Sequence, residues 1–103
     1  MYMSSDLFVG NKTMFRYTLN DQDGAVVDVS SASTKQITFR SPHGTTYTYN
    51  ASFYTDGSDG IVQYRFTIPS PAGIWKASVY IAGVSGFSGY SETDTFHVLN
   101  IIS

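Results

Sequence analysis

Apolar and polar side chains alternate through most of the chain. Across 14–20, Phe15, Tyr17 and Leu19 fall on one side, with Arg16, Thr18 and Asn20 on the other. Across 34–40, Ile37 and Phe39 oppose Thr34, Gln36, Thr38 and Arg40, with Lys35 an imperfect start to the apolar side. Across 46–53, Tyr47, Tyr49, Ala51 and Phe53 oppose Thr46, Thr48, Asn50 and Ser52; across 61–68, Val62, Tyr64, Phe66 and Ile68 oppose Ile61, Gln63, Arg65 and Thr67. A period of two sends one face of a strand into a core and the other into water. Segment 74–82 is less regular: Trp75, Ala77, Val79 and Ile81 alternate, but Ile74 and Tyr80 add apolar mass to the opposite side. A helical stripe through Ile74, Ala77 and Ile81 is arithmetically open, and the Ile, Val, Tyr and Trp enrichment decides for strand. A last strand over 92–99 buries Phe96 and Val98 and exposes Thr93, Thr95 and His97, and short pairings are expected at Leu7 to Val9 and Ala25 to Asp28.

Turn-forming clusters separate these runs, among them Asp21-Gln22-Asp23-Gly24, Ser41-Pro42-His43-Gly44, Asp56-Gly57-Ser58-Asp59-Gly60 and Pro69-Ser70-Pro71-Ala72-Gly73. Asp folds back on its own backbone, Pro presets φ and Gly supplies positive φ. Ser41 to Gly44 reads as a type I turn closing a hairpin. The cadence predicts an all-β, immunoglobulin-like antiparallel sandwich of seven to eight strands, one domain over 1–103. Its expected core comprises Phe15, Tyr17, Ile37, Phe39, Tyr64, Phe66, Trp75, Val79 and Phe96, with Trp75 as centrepiece.

Composition agrees with strand. Val, Ile and Thr number 26 against one Glu, three Leu and three Lys, and aromatics reach 16% while charged residues are 14%. Six basic and eight acidic residues give a net charge of −2, scattered along the chain. No basic stripe suits a nucleic-acid backbone, and no apolar run approaches the roughly 20 residues that span a bilayer, so neither nucleic acid nor membrane is an expected partner. The start lacks the features of a signal peptide, and there are no cysteines for disulfides, thiolate catalysis or zinc.

A resemblance enters on particular residues. Thr13 to Leu19, the Asp-Gly pair at 23–24, Val26 to Val29, Ile37 to Gly44, Thr55 to Tyr64, Pro71 to Lys76 and the closing Thr95-Phe96-His97-Val98 together resemble the immunoglobulin-like domain of tailed-bacteriophage virion proteins. The likeness is to the N-terminal domain of the baseplate upper protein family, and it spans residues 5–99. It implies a structural component of a phage particle, in the baseplate, in the tail or as a decoration protein. Such a chain works through contacts with other virion proteins and with copies of itself, in a virion assembled in the bacterial cytoplasm.

Chemistry has little to stand on. His43 sits in a tight turn and His97 on an exposed strand face, and neither lies beside a nucleophile motif. The loop Asp56 to Gly60 superficially suggests calcium; with Gly60 as the turn glycine, an EF-hand needs Glu at 66, where Phe66 stands. The sequons at Asn11 and Asn50 are no more than chance frequency and, without a signal peptide, are not expected to carry glycans. No enzyme activity, cofactor or metal is expected. The rival reading is a carbohydrate- or host-surface-binding module on the same fold. Its candidates are exposed aromatics at Tyr54, Tyr80, Phe87 and Tyr90, three of them around the 83–89 loop. The apolar end Leu99, Ile101 and Ile102 is the other candidate contact, expected to dock on a partner.

Overall fold

The computed structural model describes residues 7–21, 23–84, 87–90 and 94–100, with the backbone alone at 87–90. Nine strand segments occur among them: β1 (Leu7–Phe8), β2 (Lys12–Thr18), β3 (Thr34–Arg40), β4 (Thr46–Asn50), β5 (Ser52–Phe53), β6 (Ile61–Thr67), β7 (Gly73–Val84), β8 (Phe87–Tyr90) and β9 (Asp94–Leu99). The first sheet, sheet A, runs β1-β9-β7-β3-β4, with β8 also paired to β7; the second, sheet B, runs β2-β6-β5.

β7 organises sheet A. Its N-terminal half pairs with β9, from Gly73↔Val98 to Ala77↔Asp94, and its C-terminal half with β8. β3 covers 76–82 along the other edge, so β8 and β9 follow one another along the same edge of β7. The alternation over 74–82 is therefore strand, and the helical stripe is excluded: Trp75, Ala77, Val79 and Ile81 are buried in one row. β1 adds the only parallel pairing among the described strands, Leu7↔Val98 and Phe8↔Leu99.

The segment 46–53 is not the single strand its alternation predicts. β4 belongs to sheet A and β5 to sheet B. Between them the buried Ala51 donates its amide to the Lys35 carbonyl (2.9 Å) as the chain leaves one sheet for the other. The inward row survives the crossing because Tyr47, Tyr49, Ala51 and Phe53 all face the same interior. Ala25 to Asp28 forms the short pairing expected of it, an antiparallel bridge of Asn20 with Val26 in which the Ala25 carbonyl accepts the Asp21 amide (2.8 Å) and Val27 donates to the Leu19 carbonyl (2.9 Å). Val26 is 53% exposed, while the neighbouring loop residue Val29 is fully buried.

Both sheets contribute to one core. Phe15, Ile37, Phe39, Phe66, Trp75 and Val79 are buried, and Tyr17, Tyr64 and Phe96 pack against them half-buried. Aromatic faces meet across the gap between sheets: Phe39 on Phe66 at 4.0 Å and Tyr49 on Tyr64 at 4.5 Å, both nearly parallel. Phe15 meets Phe39 edge-on at 5.0 Å. Such contacts add roughly 0.5–1.5 kcal/mol each beyond burial. The fully buried Trp75 satisfies its indole N–H on the Pro71 carbonyl (2.9 Å). Lys35, the irregular residue on the apolar row, is half-buried and ends with its ammonium 4.6 Å from the Phe53 ring centroid.

Turns obey their local chemistry. Gly44, at positive φ, donates to the Ser41 carbonyl (2.9 Å) and closes the β3–β4 hairpin. At the opposite end Gly57 (φ +91) is pressed against the neighbouring loop. A Cβ there would lie 2.8 Å from the Ser30 backbone, and the Gly57 carbonyl accepts the Val29 amide.

Candidate functional site

The fold sorts charges that look scattered along the chain. Asp21, Asp23, Asp28, Asp56 and Asp59 all lie in the loops at the end where β2 stops and β6 begins, a junction fixed by Thr18↔Ile61. Lys12, Arg16, Arg40, Arg65 and Lys76 instead project from the exposed sides of strands. The reason is local. Asp serves as a turn former, whereas long cationic side chains suit solvent-facing strand positions.

The acidic loops repeat one device. Asp28 Oδ1 accepts the Ser30 amide (2.9 Å) and hydroxyl (2.7 Å), and Asp56 Oδ1 accepts the Ser58 amide (2.9 Å) and hydroxyl (2.6 Å). The serine hydroxyl first, then the amide, holds each carboxyl below its ordinary range. Asp59 accepts the Thr55 hydroxyl (2.7 Å) and the Ile61 amide (3.1 Å). These carboxylates hold their own turns. Among the described residues no three His, Cys, Asp or Glu side chains gather where they could hold a metal ion.

The expected aromatic platform takes a different form. Tyr54 is 49% exposed, but the Arg16 guanidinium lies over its ring at 4.0 Å while donating through Nε to Gln63 (2.9 Å). One face of that ring is thus already covered. Tyr80, expected as an exposed aromatic, is half-buried on the outer side of sheet A, in register with Gln36 and Tyr90. The side chains of Phe87 and Tyr90 lie outside the described residues, as do Ile101 and Ile102. Leu99 is half-buried within β9, and its carbonyl accepts the Val9 amide (3.0 Å), so it belongs to the sheet rather than to a projecting end. His97 is exposed on β9 opposite Ile74, and His43 is exposed in the β3–β4 turn.

Period-two reasoning did not single out a trough across the outer side of sheet A. Register places three rows side by side. Thr48, Thr38 and Ser78 form the middle row; Thr46, Arg40, Lys76 and Thr95 form the row on one side; Asn50, Gln36 and Tyr80 form the row on the other. Short hydroxyl side chains in the middle and long ones beside them leave an open groove of about 510 Å³, lined by Thr38, Arg40, Thr46, Thr48, Lys76 and Ser78. The Thr38 and Thr48 hydroxyls hydrogen-bond each other at 2.9 Å. The sequence signal was present as polar residues at every second position of 34–40, 46–50 and 76–78. Which of these become neighbours depends on strand order.

No protein-family model matches the chain, and no curated protein matches it.

Proposed function

We propose that the chain is a non-catalytic, immunoglobulin-like structural module of a bacteriophage particle, working through contacts with other virion proteins and with its own copies. The observation that carries the immunoglobulin-type reading is the strand order, β1-β9-β7-β3-β4 facing β2-β6-β5. Lettered in chain order with β4 as a C′ strand, β5 as D, and β8 and β9 taken as one interrupted G strand, it has C, C′, F and G in one sheet and B, E and D in the other. The parallel β1–β9 contact and the sheet change at Ala51 fit the same scheme. The phage assignment rests on the sequence likeness over residues 5–99.

An edge strand supports an assembly role. Among the described residues β4 ends sheet A with Thr46-Tyr47-Thr48-Tyr49-Asn50, a run with neither charge nor proline to discourage a further strand. Mass spectrometry and electron microscopy of purified particles test the reading. The expected result is this chain at a fixed, repeated position in the virion. Particles that never contain it would overturn the assignment.

A further inference from the structure

We propose that the trough across the outer side of sheet A binds an acidic carbohydrate, with Arg40 and Lys76 holding its oxyanion and the hydroxyl row beneath holding its sugar hydroxyls. The site shares β4 with the sheet edge named above, but the inference does not rest on the assembly role.

Charge carries the first part. Arg40 and Lys76 are paired directly across β3 and β7 and both are exposed. Like charges directly opposite one another destabilise a sheet. Among the described residues nothing relieves this pair. The outward positions of β3, β4, β7 and β9 carry no carboxylate, and Asp94 turns the other way, accepting the Tyr17 hydroxyl at 2.9 Å. A guanidinium and an ammonium side by side form a receptor for a carboxylate or sulfate, Arg by two parallel N–H donors and Lys as a point charge.

The lining carries the second part. Beside the cations lie Thr46, Thr48, Thr38 and Ser78, then the amides of Asn50 and Gln36 one row further. Hydroxyls and amides both donate and accept, as sugar hydroxyls require, whereas an acidic peptide would need pockets for its side chains. From β4 to β7 the floor spans two strand spacings, about 10 Å. The volume lies within the range of small-ligand sites, and the open top suits a chain that passes through.

The test is an NMR titration of the whole chain, following backbone amides, with four probes: an oligogalacturonate, a sulfated malto-oligosaccharide, neutral maltotetraose and hexaglutamate. At least one acidic sugar should shift residues 38, 40, 46, 48, 76 and 78 with a Kd below about 1 mM. Maltotetraose and hexaglutamate should bind at least tenfold more weakly. Arg40→Gln and Lys76→Gln, both at exposed positions, should each weaken the acidic sugar about tenfold with an unchanged circular dichroism spectrum. Ser78→Leu, which fills the floor and leaves both cations, should also weaken it. Absence of trough shifts with both acidic sugars overturns the proposal. Equal binding of hexaglutamate, or full binding by Ser78→Leu, overturns it too, because the site would then read charge alone.

Discussion

At the scale of single residues, packing and hydrogen bonding set the energies. Trp75 is fully buried, with Tyr47, Phe66 and Phe96 rings around it and its N–H satisfied. Trp75→Ala removes the burial and leaves a cavity, so thermal or urea unfolding should report a loss of about 3–5 kcal/mol. That is a large share of what a small domain has. Tyr17 makes a different prediction. Burial, and then the charge and hydrogen bond of Asp94, push its phenol above the ordinary tyrosine value. The folded state therefore keeps this proton more tightly than the unfolded chain does. The resulting stability is complete below about pH 10, the unfolded value, and drains away as pH rises toward the folded one. Tyr17→Phe should flatten the fall in urea midpoint between about pH 9 and pH 11. Parallel curves for the two proteins would refute the assignment.

Single strands and turns owe their form to local rules, and their partners to the rest of the chain. Alternation over 14–20, 34–40 and 61–68 foretold β2, β3 and β6, and Ser41 to Gly44 foretold a hairpin. Alternation could not show that 46–53 divides between two sheets. Side-chain parity passes through Ala51 unbroken while the backbone changes partners. Ala51→Pro deletes the amide bonded to Lys35, and more than about 1 kcal/mol should be lost in denaturant unfolding. The two acidic loops lock together through Gly57. Gly57→Ala needs a residue at φ +91 and a Cβ inside contact distance of Ser30, so a loss above about 1 kcal/mol is expected. A neutral outcome in either variant would mean that the junction yields where the packing says it is fixed.

Across the whole molecule, 49 × 27 × 22 Å in extent, charge is arranged by end and face. Five aspartates share one end, and Asp28 feels the charge of Asp56, yet its serine hydrogen bonds outweigh that repulsion. Both carboxyls are lowered on folding. Their contribution is therefore present above the unfolded carboxyl value near 3.9 and is lost as pH falls through the folded one. The Asp28→Asn, Asp56→Asn double variant keeps acceptor oxygens but cannot titrate, so its stability should fall less between about pH 5 and pH 2. Identical acid profiles would show that these loops do not link protonation to folding.

The sequence alone determined that the chain is built of strands, which side chains of most strands face inward, and where many turns fall. Period two, β-branched and aromatic side chains and the Asp, Pro and Gly turns act over a few residues, so each can be read in isolation. Val29 escaped that reading because a lone valine in a loop has no periodicity to announce it, although the loop packing buries it completely. Tertiary structure alone decided the partners. It sent 46–53 into two sheets, gathered aspartates from separate turns at one end and set Arg40 against Lys76 above a floor of hydroxyls. Those neighbours are far apart along the chain, and only the order and register in which strands bury their shared apolar face bring them together.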